Sequence, residues 1–238
     1  MSDSVASIYL DGTYAGKNNL FGDDNAAWKA ANVHAMMTRR SHLPTRLCEL
    51  GCGGGGILLE LQKLRPEVLE IHGYEPMPEA YEVCKSRQNE TLKFFNQTLG
   101  PDFQGVRYHA MLMFDVFEHI EDYLGFLRGV RHVADCVYFH IPLDMSVQMV
   151  ARAKPLKILR DNVGHLHYFS KDTALETLKH SGYEILDWCY TDGSTSSYKT
   201  LKYQLMKWPR KLLYALSPDL AVRFLGGYSL LVAAKSKS

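Results

Sequence analysis

Short apolar runs alternate with segments of helical period along most of the chain. We interpret these runs as strands. The first ends at Glu49, and the other six cover residues 68–75, 92–97, 108–116, 136–142, 184–190 and 228–234. Apolar positions recur at helical spacing in 57–64, from Glu79, in 123–130 and between Ser170 and Gly182. Strands that alternate with helices predict βαβ crossovers and a parallel sheet. The pattern therefore predicts an α/β protein with a single domain over residues 1–238.

The first 43 residues form a predicted cap. Residues 1–22 are irregular, and a helix is expected from Asp24, with Asp23 or Asp24 as its N-cap. Its predicted apolar side consists of Ala27, Trp28, Ala31, Val33, Ala35 and Met36. The helix either packs on the sheet edge or serves as a lid over a ligand.

Two later segments interrupt the alternation. Residues 143–169 read as a long connection that leaves the carboxyl end of the fifth strand, where open α/β sheets place substrates. Residues 191–227 form an insertion between the last two strands. Within it, 199–216 is basic and amphipathic, which suits a solvated helix or contact with a membrane surface or an anionic substrate.

A glycine-rich stretch follows the first strand. Gly51, Gly53 and Gly56 satisfy G-x-G-x-x-G, so a nicotinamide dinucleotide fits the spacing. Glu49 with Gly51, Gly53 and Gly55 also gives E-x-G-x-G-x-G, which resembles the S-adenosylmethionine (SAM) loop of class I methyltransferases. A carboxylate is unfavourable beside a pyrophosphate but favourable beside the ammonium and sulfonium of SAM. The acid favours SAM.

The next two strands add candidate contacts for an adenosyl group. Glu75 ends the second strand, and one carboxylate can accept hydrogen bonds from both ribose hydroxyls. Met77 follows and can pack on an adenine face. Asn96 and Gln97 come at the end of the third strand, where an amide oxygen could accept a hydrogen bond from the adenine amine.

Composition narrows the function only slightly. Lys and Arg number 27 against 26 Asp and Glu, so no global charge indicates a nucleic-acid partner. The five cysteines are odd in number and suit reduced thiols. The N-terminus lacks a basic region before an apolar run, and no apolar stretch approaches 18 residues. We expect a cytoplasmic protein without a transmembrane segment.

Four motifs together resemble class I SAM-dependent methyltransferases, over about residues 24–234. They are the loop at 49–55, the acid-ended second strand at Glu75, the sequence D-V-F-E-H-I at 115–120, and G-H-L-H-Y-F-S at 164–170 before a helix that ends in S-G-Y. The resemblance is nearest to the small-molecule branch of that family, which includes enzymes associated with sugar and polysaccharide biosynthesis.

The resemblance implies a fold and a cofactor site. It implies a Rossmann-like seven-stranded sheet of order 3-2-1-4-5-7-6 with strand seven antiparallel, and SAM lying across the carboxyl ends of strands one to four. The expected cofactor contacts are Glu49, Gly51, Cys52, Gly53, Glu75, Met77, Phe114 and Asp115, with Asn96 and Gln97 assigned by position only, because an acid is common there in the family.

The hypothesis that follows is an O-methyltransferase for a hydroxylated small molecule or a glycan intermediate. A hydroxyl acceptor needs a base near neutral pH, and the candidates are His119, His140, His165 and His167, with Asp144 as orienting partner or alternative base. In an extended segment His165 and His167 share a face, so both could reach one pocket. These two histidines and Asp144 could together hold a metal ion, but ligand spacing elsewhere in the sequence does not support one, so no metal is predicted.

Two other functions stay open on sequence grounds. One is a nicotinamide-dependent oxidoreductase, because the glycine spacing also fits a dinucleotide. The other is a SAM-fold protein without catalytic activity that acts as a binding partner.

Overall fold

The protein is built around one seven-stranded sheet of order β3-β2-β1-β4-β5-β7-β6. A computed structural model describes residues 23–193 and 201–237, with the backbone alone at 201–207. Strand β7 is antiparallel to both of its neighbours, and the other neighbouring strands run parallel. The strands are β1 Arg46–Leu50, β2 Glu70–Tyr74, β3 Leu92–Phe95, β4 Tyr108–Phe114, β5 Ala134–Pro142, β6 Tyr183–Asp192 and β7 Tyr228–Ser236. The predicted order and the antiparallel last strand are confirmed.

The helices lie on both faces of the sheet. They are α1 Ala26–Arg39, α2 Gly56–Leu64, α3 Pro78–Lys85, α4 Tyr123–Gly129, α5 Val147–Arg152, α6 Lys154–Val163, α7 Lys171–His180, α8 Leu201–Leu216 and α9 Pro218–Leu225. Side chains of β4 pack into two apolar cores. Met111 and Met113 belong to one core, and Leu112 and Phe114 belong to the other. The near-continuous apolar run of β4 reflects this burial on both sides.

Helix α1 differs from its prediction in two details. A 3₁₀ turn over Asp23–Asn25 precedes it, so the N-cap is Asn25 rather than an aspartate, and no side chain caps it. Val33 and Met36 are buried as expected, but Ala26, Ala30 and Met37 complete the buried face, while Ala27, Ala31 and Ala35 are exposed. Alanines lie on either side of the helix, so they do not mark its buried face. The first 22 residues of the predicted cap lie outside the described part of the chain.

The connection over residues 143–169 contains two helices where the sequence predicted a loop. Helices α5 and α6 bury none of their residues, so their sequences lack the apolar pattern of a core-facing helix that would have predicted them. The extended residues that follow lead into α7. Ser170 and Thr173 form a reciprocal capping box there, with Thr173 in the place usually held by Glu or Gln.

The insertion before β7 contains α8 and α9, and β6 reaches Asp192, two residues further than predicted. In the basic segment 199–216, Arg210 is buried and donates to the carbonyls of Leu225 and Gly226, so it is not a solvated charge. Trp208, Leu212 and Leu216 form an exposed stripe at four-residue spacing. Lys199 and the side chains of Lys202 and Lys207 lie outside what the structure describes. No helix among the described residues is both long enough and apolar enough to cross a bilayer.

Candidate active site

The glycine loop crosses the carboxyl end of β2 in a conformation that glycine favours. Gly51, Gly53 and Gly55 have φ of 73°, 54° and 79°. A Cβ on Gly51 would lie 2.8 Å from a methyl group of Val116. The Gly51 and Cys52 N–H groups donate to the Tyr74 carbonyl at 2.9 and 3.2 Å. Helix α2 begins at Gly56, so this glycine belongs to a helix start, and the loop offers backbone to a ligand.

The Glu75 carboxylate is fixed at the edge of this loop. One oxygen accepts from the Gly53 N–H at 2.8 Å and the other from the Met77 N–H at 2.9 Å. Burial raises the pKa of Glu75, although these two hydrogen bonds oppose the shift. Each carboxylate oxygen can accept a further hydrogen bond. The carboxylate is therefore held in place but keeps capacity for a ligand.

The other predicted cofactor residues lie around the same strand ends. Glu49 is buried within β1, and Cys52 and Met77 are buried in the loop and in the turn after β2. The Asn96 amide nitrogen donates to the Glu75 and Pro76 carbonyls at 2.9 and 3.1 Å. This leaves the Asn96 side-chain oxygen as its acceptor. The side chain of Gln97 is exposed at the rim.

Asp115 is the centre of a polar network at the ends of β4 and β5. Its backbone has φ of 55°, and its carboxylate bonds the Lys29 ammonium of α1 at 2.6 Å and His140 Nδ1 at 2.7 Å. The other ring nitrogen of His140 lies 3.0 Å from the Thr191 hydroxyl. Burial alone would raise the pKa of Asp115, but Lys29 and His140 outweigh it and hold the pKa well below its usual range. Sequence reasoning missed Lys29 and Thr191, because each meets its partner only across the folded sheet.

A second polar group, which we call the Glu118 cluster, brings together Glu118 and His119 of the turn after β4 with Asp144 and His165 of the connection over residues 143–169. His165 Nδ1 lies 2.7 Å from an Asp144 carboxylate oxygen, and His119 Nδ1 donates to the Gly164 carbonyl at 3.1 Å. The two imidazole rings are nearly perpendicular, with centroids 4.9 Å apart. The Leu166 and His167 N–H groups both donate to the Glu118 carbonyl, which ties the 164–169 segment to the turn.

Burial shifts the pKa values of two groups in the Glu118 cluster, Glu118 and His119. Glu118 is fully buried, and burial, followed by the charge of Asp115, raises its pKa well above the usual range. Burial, followed by His165, lowers the pKa of His119 to about 4. At neutral pH His119 is therefore uncharged, and burial disfavours the charged form of the Glu118 carboxyl group. Sequence reasoning did not select Glu118, although it lies in the D-V-F-E-H-I motif.

His167 makes a separate set of contacts. Its Nε2 donates to the Ile120 carbonyl at 3.0 Å, and its ring packs against Tyr123 with centroids 4.4 Å apart. The structure thus brings His119, His165 and Asp144 together, but gives His167 a role in tying the segment to the turn. His140, the fourth candidate base, bonds Asp115 instead.

The sheet order, the glycine loop and the acid after β2 define the class I methyltransferase fold. The family described as "Methyltransferase domain" matches residues 24–187, more than half of the chain. The chain belongs to this family. No curated protein matches it.

Solved structures with the same fold carry several activities. A chain of the complex between the Haloferax volcanii Trm112 methyltransferase activator and a methyltransferase aligns over 100% of both chains, with 12% identity and a TM-score of 0.60. Magnesium protoporphyrin IX methyltransferase (ChlM) from Synechocystis PCC 6803, bound to S-adenosylhomocysteine (SAH), aligns over 88% of this chain and 83% of its own, with 15% identity and a TM-score of 0.56.

A third such structure is the [4+2]-cyclase SpnF, with 15% identity, a TM-score of 0.56, and coverage of 87% of this chain and 81% of its own. At these identities the likeness concerns the fold alone. ChlM has also been solved with SAM. The family match and these SAM-bound and SAH-bound structures support SAM as the cofactor.

Proposed function

We propose that the protein is a SAM-dependent O-methyltransferase whose acceptor is a hydroxylated small molecule or a glycan intermediate. The family match supports methyl transfer. The observation that carries the hydroxyl acceptor is the Glu118 cluster, where His165, oriented by the Asp144 carboxylate, lies against the turn that follows the carboxyl end of β4. The association with sugar or polysaccharide biosynthesis rests only on the sequence resemblance and belongs to this proposal.

The residues at the carboxyl edge fit SAM better than a dinucleotide. Glu49, Glu75 and Asp115 all lie at the ends of neighbouring strands, and three carboxyl groups suit a cationic ligand and oppose a pyrophosphate. The positive-φ loop lets a ligand approach the backbone of Gly51 and Gly53. The chemistry of this donor set therefore agrees with the proposed cofactor.

Each predicted cofactor residue has a proposed part in holding SAM. Glu75 would accept from the ribose hydroxyls, and Gly51, Cys52 and Gly53 would line the methionyl side together with Glu49. The remaining contacts would come from four neighbouring side chains and from the network residue, namely Met77, Asn96, Gln97, Phe114 and Asp115. Asp115 would act as part of its ion pair with Lys29, because that pair occupies its carboxylate.

When bound, SAM supplies a methyl group already activated by the sulfonium. The protein must then hold an acceptor oxygen in line with that methyl group, and positioning of this kind can contribute several kcal/mol, on the order of 7–11 in the best intramolecular cases. The acceptor hydroxyl must also lose its proton. We propose that a histidine of the Glu118 cluster accepts this proton, with Asp144 holding His165 in a single orientation. His119 contributes a second imidazole there, and His167 acts only by fixing the segment.

The two alternatives make different demands on the site. A nicotinamide-dependent oxidoreductase would place a pyrophosphate among the buried carboxyl groups. A binding protein without activity would use the loop alone, and the SpnF match shows that this fold is not confined to methyl transfer.

Two measurements test the proposal. Calorimetry should show binding of SAM or SAH and none of NAD or NADP, whereas NAD binding without SAM binding would refute it. Transfer of a labelled methyl group should then be screened over hydroxylated acceptors, with amine and thiol acceptors in parallel. Transfer to a hydroxyl supports the proposal, transfer only to nitrogen or sulfur refutes O-methylation, and SAM binding without transfer across the panel favours the binding protein.

A further inference from the structure

Glu118 is a buried carboxyl group whose two oxygens have no hydrogen-bond partner among the described residues. Its side chain is 0% exposed. A buried polar group without a partner costs on the order of 1–3 kcal/mol, so such groups are rare in folded proteins. The His119 ring is near but does not satisfy it, since its Nε2 lies 3.9 Å from the Glu118 Oε1.

Two imidazoles face this carboxyl group, and both have fixed orientations. Asp144 holds Nδ1 of His165 at 2.7 Å, and the Gly164 carbonyl holds Nδ1 of His119 at 3.1 Å. With the proton on Nδ1 in each ring, the lone pair lies on Nε2. A carboxylate or a carbonyl on the far nitrogen is the usual support of a histidine that ligates a metal.

The three side chains converge on one volume. One ligand atom from each of Glu118, His119 and His165 lies within 4.8 Å of the other two. A tetrahedral site with bonds of about 2.0–2.1 Å needs separations of about 3.4 Å, so ligand atoms at the 4.8 Å limit must approach by about 1.4 Å. Side-chain rotation can supply this movement.

We propose that Glu118, His119 and His165 bind a divalent transition-metal cation of the zinc type, with Asp144 and Gly164 as the groups that orient the two histidines. Two imidazoles and one carboxylate favour zinc, cobalt or iron over magnesium and calcium, which prefer all-oxygen sites. Three protein ligands leave a fourth position open, as in catalytic zinc sites. The set differs from the one considered on sequence, because His167 is absent and Asp144 supports a ligand instead of binding the ion.

The use of the cation rests on the proposed function. A hydroxyl in the open position becomes more acidic, because the cation stabilises the alkoxide that remains. The proton passes to solvent, the oxygen forms the new bond to the methyl carbon, and the electron pair of the broken carbon–sulfur bond stays on sulfur. His165 is then a ligand, so the cation promotes the loss of the proton that the proposed function assigns to the cluster.

The test is metal binding by the full chain, which does not depend on knowing the acceptor. Protein treated with a chelator and dialysed is titrated with ZnCl₂ by calorimetry, and bound metal is counted by elemental analysis. We expect one tightly bound zinc per chain. Glu118→Gln should weaken zinc binding at least about tenfold, and Asp144→Asn should weaken it about 10- to 100-fold through the orientation of His165.

His132→Gln is the control, because it changes a histidine outside the ligand set that bonds the Phe103 carbonyl near the surface, and it should bind zinc like the wild type. Absence of stoichiometric zinc in the wild type, or equal affinity in Glu118→Gln, overturns the proposal. SAM binding is measured in every variant as a check of folding. If Glu118→Gln loses SAM binding, Asp144→Asn and His165→Asn decide, and zinc affinity unchanged in both overturns the proposal. Zinc binding without methyl transfer to any acceptor would instead contradict the proposed function while leaving the metal site intact.

Discussion

The two halves of the carboxyl edge are built by different means. The half at β1–β3 positions its groups mainly through backbone: three glycines with positive φ, and a carboxylate held by N–H groups that lie 22 and 2 residues away in the chain. The half at β4–β5 uses side chains from distant segments. Lys29 and Asp115 are 86 residues apart, and His119 and Gly164 are 45 apart.

Because of this difference, the β1–β3 half determines the shape of the site and the β4–β5 half determines its charges. The β1–β3 half has a conformation that is local to a few glycines, and we propose that the nucleoside of SAM lies there. The β4–β5 half concentrates buried ionisable groups whose pKa values depend on the complete fold. Substitutions in the first half should therefore act on cofactor affinity, and substitutions in the second on turnover or stability.

The largest effect is expected at the Asp144–His165 pair. His165→Asn should lower kcat by about 10²- to 10⁴-fold, because the acceptor loses the group that favours release of its proton. The Kd for SAM should stay within about twofold, since no predicted cofactor contact changes. Methyl-transfer kinetics and SAM calorimetry check this. His132→Gln is the control, because among the described residues His132 forms one hydrogen bond, with the Phe103 carbonyl near the surface. An equal loss of SAM affinity would erase the contrast between the halves.

Gly51→Ala should act through the backbone. An alanine at φ of 73° is strained, and its Cβ would meet Val116 at 2.8 Å. Together these should weaken SAM binding by about 2–3 kcal/mol. The double variant Gly51→Ala with Val116→Ala removes the steric contact but keeps the backbone strain, so it should recover only part of the affinity. Full recovery would show that the left-handed conformation contributes little.

Lys29→Met should destabilise the fold by about 2 kcal/mol, because Asp115 loses an ion pair in a mostly buried setting. The loss should appear in urea unfolding at pH 7. Asp115→Asn in the Lys29→Met background should restore part of the stability, since it removes the unpaired charge. Equal stability of Lys29→Met and the wild type would show that the pair is not a structural element.

Glu75→Gln should weaken SAM binding by at least about 1 kcal/mol, because the ribose hydroxyls lose a charged acceptor. The free energy of unfolding should fall by about 1 kcal/mol, since the single amide oxygen can accept from the Gly53 N–H or from the Met77 N–H and the amide NH₂ faces the other donor. Calorimetry with SAH gives the same comparison without turnover. Unchanged affinity for both ligands would remove Glu75 from the cofactor site.

The smallest effect is a pH dependence outside both halves. Burial, followed by the charge of Arg40, lowers the pKa of His42, whose Nδ1 lies 2.6 Å from the Tyr138 hydroxyl. The unfolded chain therefore binds this proton more readily, so the stability from His42 is present above about pH 6.5 and is lost as the pH falls through the folded-state pKa. The cost of His42→Gln in urea unfolding should be about 1 kcal/mol at pH 7.5 and smaller at pH 5.5. A cost that grows on acidification would contradict the direction of the shift.

Most of the fold could be predicted from the sequence, because the individual strands and the glycine loop follow from local patterns, while the strand order followed from the resemblance to class I methyltransferases. The seven apolar runs correspond to the seven strands, with ends that differ by a few residues, and Gly56 falls at the start of α2. Helices α5 and α6 were missed because they bury no side chain, and apolar periodicity reports only burial.

The sequence predicted those parts of the site in which the contacting residues belong to one local motif, and it did not predict contacts between distant segments. Glu75 and Gly53 lie at the loop as expected, whereas the partners of Asp115 required the folded sheet to be known. His165 and His167 were expected to act together because alternate residues of an extended segment share a face. In the fold one meets Asp144 and the other meets Tyr123 and Ile120, so spacing within the segment did not determine their partners.

The double connection between Asp115 and His140 has a consequence for the motion of the sheet. The Asp115 N–H donates to the His140 carbonyl at 2.9 Å, while the His140 ring returns to the Asp115 carboxylate. Strand ends usually fray, and their amides exchange quickly with solvent. Here the Asp115 amide should instead rank among the slowly exchanging hydrogens, with protection close to that of the sheet interior. The edge at which ligands enter would then be as rigid as the middle of the sheet, and motion that admits an acceptor would come from the helices above it.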